Sequence, residues 1–363
     1  MSYVYFTSES VTDGHPDKIC DQIADAILDA ALTQDKNAKM AVEATIKDDF
    51  VLVYGEANTS ATIDYASVAK AVIKDIGYEE TYEVLVKVSQ QSPEINNAVT
   101  EDSVTAAGDQ GIMFGYATNE TESYMPLSID LAHKLSKQLS DLKKDVPWLK
   151  PDGKTQVTVA YLDGKPEFVH TILVSASHEA GITHDQIEKT IREKVIAPIV
   201  DEKWLREDTI IIINPSGSFT IAGSFSDSGT TGRKLVVDSY GGVARIGGGA
   251  FSSKDPSKVD RSAAYYARHV AKSVVAAGLC DRLELQLSYA IGMEKPLSVH
   301  LETFGTEKKD KEEIREIIER NFNFNVDHMI YELDLLRPIY RETVNFGHFG
   351  RDGFPWEDIR ILK

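Results

Sequence analysis

The chain has 363 residues, 42% of them hydrophobic and 26% charged, a balance that supports folded structure throughout and, at this length, two or three domains. Lys and Arg number 39 against 57 Asp and Glu, a formal net charge of −18, which argues against a nucleic-acid binder, because such proteins gain affinity by neutralising phosphates over a basic face. Cys20 and Cys280 are too few for a disulfide framework, MSYVYFTSES lacks a signal-peptide pattern, and no apolar run approaches the ~18 residues of a membrane helix, so a cytoplasmic location is expected.

Ile19, Ile23, Ile27 and Leu28 recur at helical spacing behind Pro16, predicting a helix that ends near Leu32. AVEATIKDDFVLVYGEANTSAT alternates and reads as two strands turning near Lys47 to Asp49, and Val68 to Ile76 reads as a helix stopped by Gly77. The stretch from Gln90 to Asp109 is polar, broken by Pro93 and aperiodic, the pattern of a mobile loop. Next come a helix around Pro126 to Leu142, a strand pair turning at Asp163 to Lys165, and a helix from Thr183 to Ile199. A third set holds the apolar strand TIIIIN at Thr209 to Asn214, Gly-rich loops, and a helix from Asp260 to Ala277 closed by Gly278. The strands ELQLSYAIG and LSVHLETFG follow, then an amphipathic helix from Thr306 to Phe322. Strands arrive in neighbouring pairs with short turns and helices after them, so the fold class is α+β, with mostly antiparallel sheets and helices on one face.

Between Arg233 and Arg261 lie six basic residues, Arg233, Lys234, Arg245, Lys254, Lys258 and Arg261, against three acids, Asp238, Asp255 and Asp260, with five glycines among them. Singly, glycines serve turns, lysines face solvent and an aspartate caps a helix. Together, cations and bare backbone N–H groups beside carboxylates suit a metal-bound polyphosphate. The common phosphate motifs do not account for it: Lys154-Thr155 has Trp148 where a P-loop needs its first glycine, and no GxGxxG follows a strand. A second cluster, Gly14 to Lys18, sets His15, Asp17 and Lys18 at a helix start, where anions are favoured. His15 can donate to an oxygen that gains charge, Asp17 can hold Mg²⁺ by one oxygen, and Lys18 can contact phosphate. Capping plus a surface histidine explains this motif alone equally well.

The segments TSESVTDGHPDK, AAGDQGIMFGYATNE, GTTGRKLVVDSYGG and GGGAFSSKDPSKVDRSAAY resemble those of the S-adenosylmethionine synthetases, or methionine adenosyltransferases, a likeness running from Tyr5 to Trp356. The resemblance implies joining of ATP and methionine: the thioether sulfur attacks C5′, the triphosphate leaves, and it is then hydrolysed to pyrophosphate and phosphate. It implies three similar α/β domains about an approximate threefold axis, at 3–98, 106–221 and 223–356, and a homodimer or dimer of dimers with active sites between subunits. Carried over by motif, His15 lies beside the breaking bond, and Lys154, Arg233, Lys234 and Lys254 contact the triphosphate. Asp109, Asp152, Gly153, Ser218, Phe219, Asp227 and Ala250 join them around ATP, with Phe219 stacking on adenine. Glu56, Gln91, Asp227, Lys258 and Ile291 match the methionine positions, Asp17 and Asp260 the Mg²⁺ ligands, and Glu43 a K⁺ ligand. The polar loop at 91–101 corresponds to a gate over the site.

The sequence departs from the common pattern at Ala106 and Ile246, and more densely at Ser218, Ala222, Ser224, Ser226 and Thr230. These departures leave two other readings beside an active adenosyltransferase: a catalytically silent nucleotide-binding subunit, and a tripolyphosphate hydrolase that has lost methionine. Intact Glu56, Gln91 and Lys258 weigh against the hydrolase.

Overall fold

The computed structural model describes residues 2–90, 100–101 and 104–363. A first sheet runs in the order β1 (Val4–Val11), β8 (Leu149–Leu162), β9 (Lys165–His178), β10 (Ile210–Ile213). A second runs β11 (Gly229–Thr230), β2 (Lys39–Lys47), β3 (Phe50–Asn58), β4 (Glu83–Ser89), and a third β13 (Ser298–Glu302), β12 (Arg282–Tyr289), β7 (Gly111–Thr118). Two short strands, β5 (Thr100–Glu101) and β6 (Val104–Thr105), pair with each other. Pairing is antiparallel except for β3 with β4 and β9 with β10. Both exceptions are consecutive strands whose connection contains a helix, which returns the chain to the same end of the sheet.

Each large sheet packs on a long helix: α1 (Pro16–Gln34) on β2, α3 (Leu127–Leu142) on β8 and β1, and α5 (Val259–Ala276) on β7 and β12. The inward stripes of these helices, Ile19, Ile23 and Ile27, then Leu131, Leu135 and Leu139, then Val270 and Val274, belong to one buried core. The α+β expectation with mostly antiparallel sheets holds. Each of the three large sheets also recruits a strand from far away in sequence: β1 joins β8, β11 joins β2, and β7 joins β12.

Capping residues account for most differences in helix bounds. Helix α2 (Tyr65–Ile76) starts before Val68 because Asp64 accepts the Ser67 N–H, and Gly77 closes it at φ 111°. The helix expected from Thr306 begins only at Lys311 (α6, Lys311–Asn321), since Asp310 caps it. Helix α4 (His184–Ile191) continues through a π-turn over Arg192–Ile196. Pro198 has no N–H for the Lys194 carbonyl, and the Gln138 side chain donates to that oxygen instead at 2.9 Å.

Strands β1, β4, β7 and β11 and helix α7 (Val326–Glu332) have no counterpart in the sequence reading, nor do β5 and β6, which fall within the stretch read as a loop. In β1 the inward residues are polar: Ser8 donates to the Gly241 carbonyl at 2.8 Å and Ser10 pairs with His133 Nδ1 at 2.8 Å, both buried. Strand β4 is an exposed edge whose apolar and charged residues do not sort by face. Strand β7 lies buried against α5, and a side chain at Gly115 would sit 2.1 Å from the Ala267 backbone.

Candidate active site

The first cluster forms where α1 begins. His15 is its N-cap, and the His15 Nδ1 accepts the Asp17 N–H at 3.2 Å, so the ring proton resides on Nε2. Burial, reinforced by the Lys234 and Lys154 charges, pushes His15 down to about 3 against the opposing pull of Asp17 and Asp227. The ring is therefore a neutral hydrogen-bond donor near pH 7. Burial works to raise the Asp17 carboxyl, but bonds from Lys234 (2.5 Å) and the Thr230 N–H (3.0 Å) outweigh it and hold the group below its ordinary value. Arg233 Nε stands 3.6 Å from the same carboxylate.

Strand β8 supplies the neighbours of this cluster. Lys154 lies opposite Val11 and Ser175, and Gly153 opposite Ala176. Asp152 accepts the Gly223 N–H at 2.9 Å through Oδ2, while its Oδ1 is buried with no hydrogen-bond partner among the described residues. Burial raises that carboxyl to about 6 despite the Gly223 N–H and Lys154. Asp227 is exposed and accepts the Ser228 N–H at 2.8 Å. Phe219 is half-buried and Ser218 exposed on the loop after β10.

Lys18 corrects the expectation that it contacts phosphate. Burial works to lower its pKa, yet the carboxylates of Asp238 and Asp21 more than compensate and hold it above its ordinary value, fully enclosed. Facing inward from α1, it is a structural cation. Arg261 leaves the basic surplus for the same reason: it is buried against Asp25, with N–O distances of 2.8 and 2.6 Å. Arg245 is a surface partner of Glu284.

The second cluster surrounds the triple glycine. Lys254 Nζ pairs with Asp260 Oδ2 at 2.6 Å, and a side chain at Gly249 would lie 2.1 Å from the Asp260 carboxyl carbon, so bare backbone closes over this pair. Lys258 pairs with Asp255 at 2.5 Å. Asp255 is buried and also accepts Met40 N–H and Ser257 N–H, which ties this loop to β2. It stabilises the turn ahead of α5 rather than capping the helix, whose N-cap is Lys258.

Lys254 forms a bridge with Ala41 of β2; Glu56 lies opposite Ala41 on β3, and Glu43, two residues along, accepts a hydrogen bond from Tyr54 at 3.1 Å. Asp109 is exposed, its Oδ1 accepting the Gln110 N–H. Backbone bonds from Ala107 to Met293 and from Gly292 to Ala107 bring the half-exposed Ile291 beside that segment. Gln91, and most of the expected gate, lie outside the described residues.

Among the described residues no hydrogen bond or ion pair joins the two clusters, although a side chain at Gly232 would meet the Ala250 Cβ at 2.6 Å, so the two loops lie close there. Several departures have local structural partners. Ser224 donates to the Asp48 carbonyl at 2.6 Å, Thr230 pairs with Thr45 at 3.0 Å, and Ile246 lines a small cavity of about 20 Å³ with Ile112 and Met113. Nothing in the structure accounts for Ser226.

No group of three or more His, Cys, Asp and Glu side chains among the described residues is placed to hold a metal alone. Asp17 and Asp260 each offer hard oxygen donors beside a lysine, the donor type a hard divalent ion takes when phosphates complete its shell.

Three family models cover almost the whole chain: the S-adenosylmethionine synthetase N-terminal domain over residues 3–104, the central domain over 104–219 and the C-terminal domain over 221–358. The chain belongs to the S-adenosylmethionine synthetase family. It is 50% identical to an S-adenosylmethionine synthase of Clostridium tetani, over 99% of this chain and 97% of that one. It is 49% identical to those of Sorangium cellulosum, over 98% and 88%, and Clostridium botulinum, over 99% and 97%. S-adenosylmethionine synthetases are transferases that require a divalent metal ion. No helix among the described residues is long and apolar enough to cross a membrane.

Proposed function

We propose that the chain forms S-adenosylmethionine from ATP and L-methionine, and that the two clusters are the halves of one site, completed when a second copy brings its Lys254–Asp260 half against the His15–Asp17 half. Support for sharing comes from the clusters themselves: each pairs its cations with its own carboxylates, and among the described residues no hydrogen bond or ion pair joins one cluster directly to the other. A homodimer or dimer of dimers follows.

The methionine sulfur lone pair attacks C5′ of ATP; the S–C5′ bond forms as the C5′–O bond breaks, and the triphosphate departs with the electron pair. Sulfur loses no proton and becomes a sulfonium, so no general base is needed. What must be stabilised is charge growing on the leaving oxygens, and preorganised donors do this best. His15, neutral with its proton on Nε2, donates to the leaving oxygen without first shedding a proton. Lys154, Arg233 and Lys234 from one copy and Lys254 from the other neutralise the triphosphate, and the same cradle holds it for hydrolysis to pyrophosphate and phosphate.

Around the nucleotide, the unpartnered Asp152 Oδ1 is an acceptor suited to a ribose hydroxyl. Gly153, Ser218, Ala250 and Asp109 complete the surround, and Phe219 stacks on adenine. Glu56, Gln91, Asp227 and Lys258 hold the charged ends of methionine, with Ile291 against its apolar part. Asp17 and Asp260 would hold Mg²⁺, which would supply charge neutralisation at the phosphates, and Glu43 would hold K⁺. Cys20 and Cys280 are free and buried, which suits a reducing cytoplasm.

The single observation carrying this reading is the pairing of Lys234 with the metal-type carboxylate Asp17 beside a neutral histidine donor. Incubation with ATP, methionine, Mg²⁺ and K⁺ should yield S-adenosylmethionine with pyrophosphate and phosphate. Absence of product at every substrate concentration would overturn it.

A further inference from the structure

We infer that His178 is a positioning residue for the nucleotide base, acting by fixing the backbone of Phe219; the inference rests on the proposed stacking of Phe219 on adenine. His178 is the last residue of β9 and is buried, with 3% of its surface exposed. Its backbone N–H donates to the Phe219 carbonyl at 3.0 Å, and its ring Nε2 accepts the Phe219 N–H at 3.1 Å. The other ring nitrogen, Nδ1, lies 2.9 Å from the Glu179 carbonyl, which can only accept. The proton therefore resides on Nδ1, and one histidine occupies both backbone groups of Phe219.

The loop before Phe219 has little else to hold it. Residues Pro215 to Ser218 are exposed, and the loop is tied at its start by Asn214, whose side chain accepts the Ala176 N–H at 2.8 Å and donates to the Ala176 carbonyl at 3.0 Å. Asn214 and His178 thus clamp the two ends of the loop to the end of β9. A half-exposed ring gains its direction from its backbone, and a ring already held in place loses less entropy when a base stacks on it. A flat side chain with a donor on one edge and an acceptor on the other spans from the Glu179 carbonyl to the Phe219 N–H. Leucine offers neither group, whereas glutamine offers both on a flexible stem.

This role predicts a split that general loss of structure does not produce. The His178→Leu enzyme should show KM for ATP raised about tenfold, the scale of an unsatisfied buried N–H, with kcat nearly unchanged. Hydrolysis of inorganic tripolyphosphate, which has no base to stack, should be unaffected, and His178→Gln should recover most of the ATP affinity. If His178→Leu does not fold, His178→Asn, polar but too short to make both contacts, carries the same test. Phe219→Leu, assayed alongside, separates the two ideas. If it raises KM for ATP while the His178 variants do not, the positioning role fails alone; if it leaves KM unchanged, the stacking reading fails and takes this inference with it. Parallel loss of tripolyphosphate hydrolysis and adenosyl transfer in the His178 variants would also overturn it.

Discussion

Lys254 and Lys18 present the same ammonium to the same kind of partner, an aspartate, yet they belong to different regions of the molecule. The Lys254–Asp260 pair is partly open to solvent, with side chains 21% and 22% exposed, and Lys234 is 18% exposed beside Asp17. Lys18 and Arg261 are 1% exposed and locked to carboxylates within the core. The partly exposed lysines can exchange partners when an anion or a metal arrives, because water and ligand reach them. The core pairs cannot, since separating a buried charge from its partner leaves it unsolvated. Residue type and local sequence therefore do not mark a binding cation; the side of the fold it faces does.

Breaking a core pair should have the largest effect. Arg261→Ala leaves Asp25 buried and uncompensated, and should lower stability by about 3–5 kcal/mol, read by denaturant unfolding. A small loss would mean that this region resembles the partly exposed pairs more than the burial indicates. Lys254→Ala should do the reverse, cutting adenosyl transfer by about a hundredfold or more while the unfolding midpoint stays close to that of the parent. Near-normal turnover would remove Lys254 from charge stabilisation. The smallest effect belongs to a third class, the exposed i,i+4 pair of Lys137 and Asp141. Lys137→Ala should change stability by ~0.5 kcal/mol or less, and a larger loss would show that exposure alone does not rank these pairs.

The same contrast explains what could be read in advance. Periodicity revealed the long helices and the two hairpins, because their apolar stripes and turns are local properties, as at Asp163 and Gly164 between β8 and β9. It hid β1, whose inward Ser8 and Ser10 are buried polar residues satisfied by distant partners, and β7, whose enclosed glycines break any alternation. The parallel addition of β10 depends on where α4 returns the chain, which no alternation encodes. At the site, motifs brought out His15, Asp17, Lys254 and Asp260, and the structure gathers them into two groups. Lys18 and Arg261 looked identical to the working cations until Asp238 and Asp25 were found opposite them. His178 gave no signal, since a lone histidine at a strand end acquires meaning only through the distant Phe219 backbone.

The central claim is that each site is assembled from the His15–Lys234 half of one copy and the Lys254–Asp260 half of another. Co-expression of two inactive variants, Lys234→Ala and Lys254→Ala, tests it most directly. In a twofold dimer the mixed species would hold one site carrying both substitutions and one carrying neither. The mixture should then regain about a quarter of parental turnover, although each variant alone is nearly silent. If the co-expressed mixture forms mixed dimers and still shows only the activity of the separate variants, the two halves work within a single chain and the shared site is wrong.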